Sequence, residues 1–141
     1  MTSQLSPSGH RDALPIVIEP VSPGAINRTQ LALFAGGSGD HNPIHIDIDI
    51  AWAHGFDDVI VHGMLLMAQL SKVLTDWAGP SSIRQWNVRF ISVTPVLGVP
   101  TYYAEVIKET EFSGEPCMRV ALRAEVEGVG EVLRGEAFIA K

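Results

Sequence analysis

The rhythm of apolar and polar positions changes near residue 80 of this chain. Upstream, apolar residues gather at helical spacing; downstream, they alternate as in half-buried strands. Leu14 to Val21 is apolar and β-branched but bracketed by Pro15 and Pro20, which predicts a short edge strand. Pro23-Gly24 marks a turn. A helix follows, with Asn27 or Thr29 as its cap, Leu31, Leu33, Phe34 and Ala35 on its apolar face, and Gly36-Gly37 as its end. Residues 38–46 hold Gly39 and Pro43 and read as an irregular loop, and 47–54 as a short helix broken by Gly55. The longest helical pattern spans His62 to Trp77, is apolar on nearly all sides of its first half, and stops at Gly79-Pro80. A helix of that kind belongs in the interior.

After Pro80 four β-rich segments appear: 86–93, 101–110, 118–126 and 129–140. Val120, Leu122, Ala124 and Val126 alternate with Ala121, Arg123 and Glu125, and residues 128–130 suit a hairpin turn. Helices followed by strands predict an α+β fold, with an antiparallel sheet of about five strands curled around the central buried helix. Residues 1–13 read as a loose tail and 14–141 as one domain.

Bulk properties narrow the function. At 141 residues the chain is one domain with 46% hydrophobic residues, enough for a core without staples. Its net charge of -6, with bases scattered singly, argues against a nucleic-acid partner. The one cysteine, Cys117, allows no internal disulfide and fits a reducing compartment. The N-terminus lacks an apolar signal core, and the longest apolar run, Val59 to Ala68, is interrupted by His62 and Gly63, far short of the roughly 20 residues a membrane span needs. The expected location is cytoplasmic, with no membrane partner.

The candidate chemistry lies in residues 39–63, GDHNPIHIDIDIAWAHGFDDVIVHG, which hold four of the five histidines. Asp40 and His45 flank an Asn42-Pro43 bend that can turn both side chains toward one point. Such a pair can hold and activate a water, each group taking or giving a proton. Gly63 opens the long helix, where a free amide and the helix dipole favour a developing oxyanion. Water opposite an oxyanion site suits addition to a double bond conjugated with a carbonyl. On spacing alone, Asp40 serves equally well as a turn-capping carboxylate.

SGDHNPIHIDIDIA followed by GFDDVIVHGML resembles the signature of MaoC-like dehydratases and (R)-specific enoyl-CoA hydratases, and RFISVTPV resembles that family's later strand. The stretch looks closest to the catalytic subunits of actinobacterial type II fatty-acid-synthase (3R)-hydroxyacyl dehydratases. The resemblance implies a single hot-dog fold and a reversible hydration of trans-2-enoyl thioesters to (R)-3-hydroxyacyl thioesters. It implies that Asp40 and His45 are the catalytic dyad, that the Gly63 amide forms the oxyanion hole, that Ser71 supports the loop by hydrogen bonding, and that Asn42 and Pro43 shape that loop. No cofactor and no metal are implied. The partner is an acyl thioester of coenzyme A or of acyl carrier protein, and the assembly a homodimer or a hot-dog heterodimer. The chain departs from the pattern at Pro95 to Thr101, where an acid after the glycine is missing.

Other readings compete. His41, His45 and Asp47 offer a mixed metal-ligand set, but the Pro43 bend directs His41 and His45 differently. His62 reads as a structural residue at the helix start, His54 as a loop residue, and the tryptophans as packing aromatics. A subunit that only binds acyl chains or supports another hot-dog chain would not require the Asp40/His45 pair. A thioesterase would require a carboxylate on the helix, and Met64 to Leu70 has none.

Overall fold

A computed structural model describes residues 13–141. The tail expected over residues 1–13 lies outside them apart from Ala13. In chain order the elements are β1 (Ile16–Val21), α1 (Arg28–Ser38), α2 (Ile48–Ala53), α3 (Gly63–Ala78), β2 (Ile83–Phe90), β3 (Pro100–Phe112), β4 (Glu115–Val126) and β5 (Gly130–Ala140). Single 3-10 turns stand at Pro43–His45 and Pro80–Ser82. The strands form one antiparallel sheet in the order β1-β3-β4-β5-β2. The sheet packs around α3, giving the α+β hot-dog arrangement.

Each element has a local cause. The β1 strand sits at the sheet edge, where Pro20, lacking an N–H, does least harm; its register with β3 slips between Ile18 and Val21. Asn27 caps α1 through a full capping box: its side chain accepts from the Gln30 amide at 2.9 Å, and Gln30 accepts from the Asn27 amide at 2.8 Å. Asp47 caps α2 by side-chain acceptance alone, from the Asp49 and Ile50 amides. Along β4, Val120, Leu122, Ala124 and Val126 face the core as the alternation predicts. From α3, Leu66, Leu70, Val73 and Leu74 join that core. The Tyr102 hydroxyl of β3 donates to Gln69 Oε1 at 2.5 Å and ties the helix to the sheet.

Four expectations need correction. The α1 helix runs through Gly36-Gly37 and ends only where Gly39 takes the left-handed conformation at φ 78°. Leu33 is not on its buried face but 71% exposed. The α3 helix is buried along one stripe; Met64, Ala68 and Lys72 face outward, because the sheet covers only one side of it. The β2 strand spans 83–90 rather than 86–93, since pairing with β5 from Ile83 to Phe90 sets its length. Among the described residues no helix is long and apolar enough to cross a membrane.

Candidate active site

The segment between α1 and α3 is pinned in its later part, at Asp57 and Asp58. Arg28 at the start of α1 pairs with Asp58, and the Trp52 indole donates to the Asp57 carbonyl at 2.8 Å. Residues 59–61 then run between two neighbours. Ile60 N–H donates to the Ile44 carbonyl at 3.3 Å, while Val61 N–H donates to Thr94 and Val96 N–H to Val59, at 2.9 and 3.2 Å. Asn42 shapes the intervening bend: its side chain accepts from the Ile44 amide at 3.2 Å, and Pro43 takes the first position of the 3-10 turn, where a missing N–H costs nothing.

This bend brings Asp40 and His45 together. Asp40 Oδ2 lies 3.9 Å from His45 Nε2, with the carboxylate 41% and the imidazole 11% exposed. The other carboxylate oxygen, Oδ1, accepts from the Asn42 amide at 3.3 Å. The turn-capping role and the chemical one are thus divided between the two oxygens of one side chain. His45 Nδ1 lies 2.8 Å from the Ile60 carbonyl. A carbonyl only accepts, so Nδ1 carries a proton, and the neutral tautomer this bond selects presents a bare Nε2 toward Asp40. The gap of 3.9 Å is too long for a direct hydrogen bond. A single water would fit across it with two bonds of about 2.8 Å meeting at roughly 90°.

Gly63 lies in the same cleft. His45, Ile60, Val61, Gly63, Leu66 and Phe90 line a hollow of about 280 Å³ whose far wall is the segment 91–94. Among the described residues no acceptor engages the amides of Gly63 or Met64; His62, the cap of α3, makes no side-chain bond to them. They are the free donors that a helix start leaves over. A Cβ on residue 63 would stand 2.8 Å from the Phe90 ring, so a larger residue there would require that ring to move.

His62 is the residue whose part the spacing did not disclose. It is fully buried. Its ring stacks on that of His45, with centroids 3.8 Å apart and planes at 24°, and meets the edge of Phe34 at 4.9 Å. Nε2 donates to the Asp40 main-chain carbonyl at 3.3 Å, while Nδ1 is buried with no partner among the described residues. Burial first, and then the neighbouring His45, hold its pKa below the ordinary histidine value; the Asp40 carbonyl and carboxylate act the other way.

Ser71 is not brought to this group. Its hydroxyl donates to the Ala68 carbonyl of its own helix at 2.7 Å. His41 and Asp47 also stay apart from the cluster. The ligand-type residues that converge are Asp40, His45 and His62, all within 4.8 Å of one another. They do not suit a metal. Stacked imidazoles direct their in-plane lone pairs side by side, not at one centre, and two of the four ring nitrogens are already bonded to carbonyls.

A family model for the MaoC-like domain matches residues 12–127. The chain belongs to the MaoC-like dehydratase family. Two curated relatives match over part of their length. The peroxisomal multifunctional enzyme type 2 of Mus musculus is 29% identical over 72% of this chain and 13% of its own. The 3-oxo-4,17-pregnadiene-20-carboxyl-CoA hydratase beta subunit of Mycobacterium tuberculosis is 34% identical over 54% of this chain and 52% of its own. The chain therefore spans about half of the latter and a small part of the former. Among solved structures, the R-hydratase PhaJ1 of Pseudomonas aeruginosa superposes with a TM-score of 0.79 at 28% identity, over 91% of this chain and 81% of that one. The (R)-hydratase of A. caviae involved in PHA biosynthesis gives 0.79 at 25%, over 93% and 98%. The hot-dog fold of this MaoC-like chain rests on these matches together.

Proposed function

We propose that this MaoC-like protein adds water reversibly to trans-2-enoyl thioesters, giving (R)-3-hydroxyacyl thioesters. The observation that carries the reading is the 3.9 Å space between Asp40 Oδ2 and the bare Nε2 of His45, in a cleft that Gly63 also lines. A water held there donates one hydrogen to each group and keeps its lone pairs for Cβ of the substrate. As its oxygen bonds to Cβ, one dyad member takes the proton. The double-bond electrons move to the thioester oxygen, where the Gly63 amide and the α3 dipole stabilise the enolate. The enolate then collapses with proton delivery to Cα from the dyad, and the hydrogen-bonded loop keeps both groups in register. Coenzyme A or acyl carrier protein serves as the handle of the substrate. Neither the dyad nor the amide needs a cofactor.

Crotonyl-CoA hydration, followed as loss of enoyl-thioester absorbance, tests the reading. The wild type should give the (R) product, and Asp40→Asn and His45→Gln should each lose about 100-fold or more in kcat. Variants as active as the wild type would remove the dyad from the mechanism.

A pairing proposal goes with this one. Phe90, Ile91 and Val93 are about half exposed along one wall of the cleft. A second hot-dog chain, identical or not, would cover that wall and complete the acyl tunnel. The relative from Mycobacterium tuberculosis is named as a subunit, which supports the same arrangement. Mass in solution decides: a dimer is expected, and a stable, fully active monomer would overturn it.

A further inference from the structure

His62 touches both members of the dyad and begins the helix that carries the third functional group. Its Nε2–H holds the main-chain carbonyl of Asp40 at 3.3 Å, its ring faces that of His45 at 3.8 Å, and its own carbonyl accepts the Leu65 amide at 3.0 Å in the first turn of α3. One buried side chain thus links the loop before the bend, the 3-10 turn after it and the start of α3. From this, and resting on the hydration reading above, we infer that His62 is a positioning residue, a neutral imidazole clamp that fixes Asp40, His45 and the Gly63 amide relative to one another.

The geometry rules out a proton-carrying part. A proton on Nε2 faces a carbonyl that cannot take it, and among the described residues Nδ1 has no hydrogen-bond partner to exchange one with. Among the described residues, the titratable groups facing the ring are His45, from the 3-10 turn, and Asp40, from the loop; from α1 the ring meets Phe34. A charged His62 would set a second cation against the His45 ring and bury an unpaired N–H. The neutral state keeps proton movement within the Asp40/His45 pair. The need for a flat, small, neutral donor explains why histidine, rather than a simple apolar filler, occupies a fully buried position.

Two substitutions in the full chain separate the parts of the clamp. His62→Phe keeps a flat ring for stacking but loses the bond to Asp40; His62→Gln keeps a donor but loses the ring. Both should fold, with melting temperatures near that of the wild type at pH 7.5. Each should lower kcat tenfold or more, less than Asp40→Asn does, while KM stays within threefold and the pH–rate profile keeps the same number of limbs. Nitrogen-15 NMR of the histidines supplies a readout without substrate. His62 should appear as the neutral Nε2–H tautomer at pH 7, and the His45 resonances should move in His62→Phe. Folded variants with kcat within twofold of wild type would overturn the inference, as would a lost limb in the pH profile or an imidazolium signal for His62 at pH 7. If the wild type proves inert on enoyl thioesters while the NMR signatures hold, the hydration reading fails and the clamp stands. If the enzyme is active and the signatures fail, the reverse follows.

Discussion

Asp40, His45, Gly63 and His62 each combine a structural contact with an open function. Asp40 engages the Asn42 amide with one oxygen and turns the other toward His45; His45 commits Nδ1 to Ile60 and turns Nε2 toward Asp40. At Gly63 the missing side chain does the same double duty. Without a Cβ, the amide is approachable and the Phe90 ring can lie against the helix start. Gly63→Ala would put a methyl 2.8 Å from Phe90 Cε1. Phe90 is half exposed, so its ring can swing away, and the fold should lose less than about 1 kcal/mol. The ring lines the cleft, however, and any swing changes the approach to the amide. Hydration assays should show kcat/KM down tenfold or more, against a melting temperature shifted by a few degrees. Unchanged kcat/KM would mean that the amide is not part of the site.

Within elements, the same glycine-to-alanine change has opposite effects, decided by backbone proximity. Gly135 in β5 lies against β2, where a Cβ would stand 1.9 Å from the Asn87 carbonyl oxygen and 2.8 Å from Val88 Cα. Main chain cannot swing aside as a ring can. Gly135→Ala should therefore push β2 off the sheet and cost about 3 kcal/mol or more. Gly37, inside α1, meets nothing within 4 Å, and Gly37→Ala should gain about 0.5–1 kcal/mol from helix propensity and the stiffer unfolded chain. Urea midpoints of the two variants, moving in opposite directions, check both. The pair also shows what could be read from sequence. Gly36-Gly37 looked like a helix stop because glycine is a poor helix former, yet the stop lies at Gly39, where the left-handed turn forms. The alternation of β4 was legible because one strand face is core and the other is not. The extent of β2 was not, because β5 sets it from a distance. In the loop, the short Asp40–His45 spacing across a proline announced their approach. The partners of His62 depend on how α3 meets the loop, and no local pattern encodes that.

For the whole molecule, the cost of a buried neutral histidine appears in the pH dependence of stability. His62 is fully enclosed, and its pKa lies below the ordinary value of 6.5, chiefly through burial and secondarily through His45. In the unfolded chain the same ring titrates normally near 6.5. Between 6.5 and the lowered folded value, the unfolded state therefore binds more protons than the folded one, and acid favours unfolding. The stability is fully present above pH 6.5 and declines as pH falls through that window, by at most about 1.4 kcal/mol per pH unit for one proton. Glu115 and Glu131 act in a separate range. Their pKa values are lowered by hydrogen bonds from Arg84 and Arg134, so their contributions are present above 4.5 and fade only below it. Urea unfolding at pH 5.5, 6.5 and 7.5 should thus show wild-type stability falling from 6.5 to 5.5. In His62→Phe, which has nothing to titrate at that position, the same interval should be nearly flat. Equal slopes in the two proteins would place the acid sensitivity elsewhere and would mean that His62 is not held neutral by its surroundings.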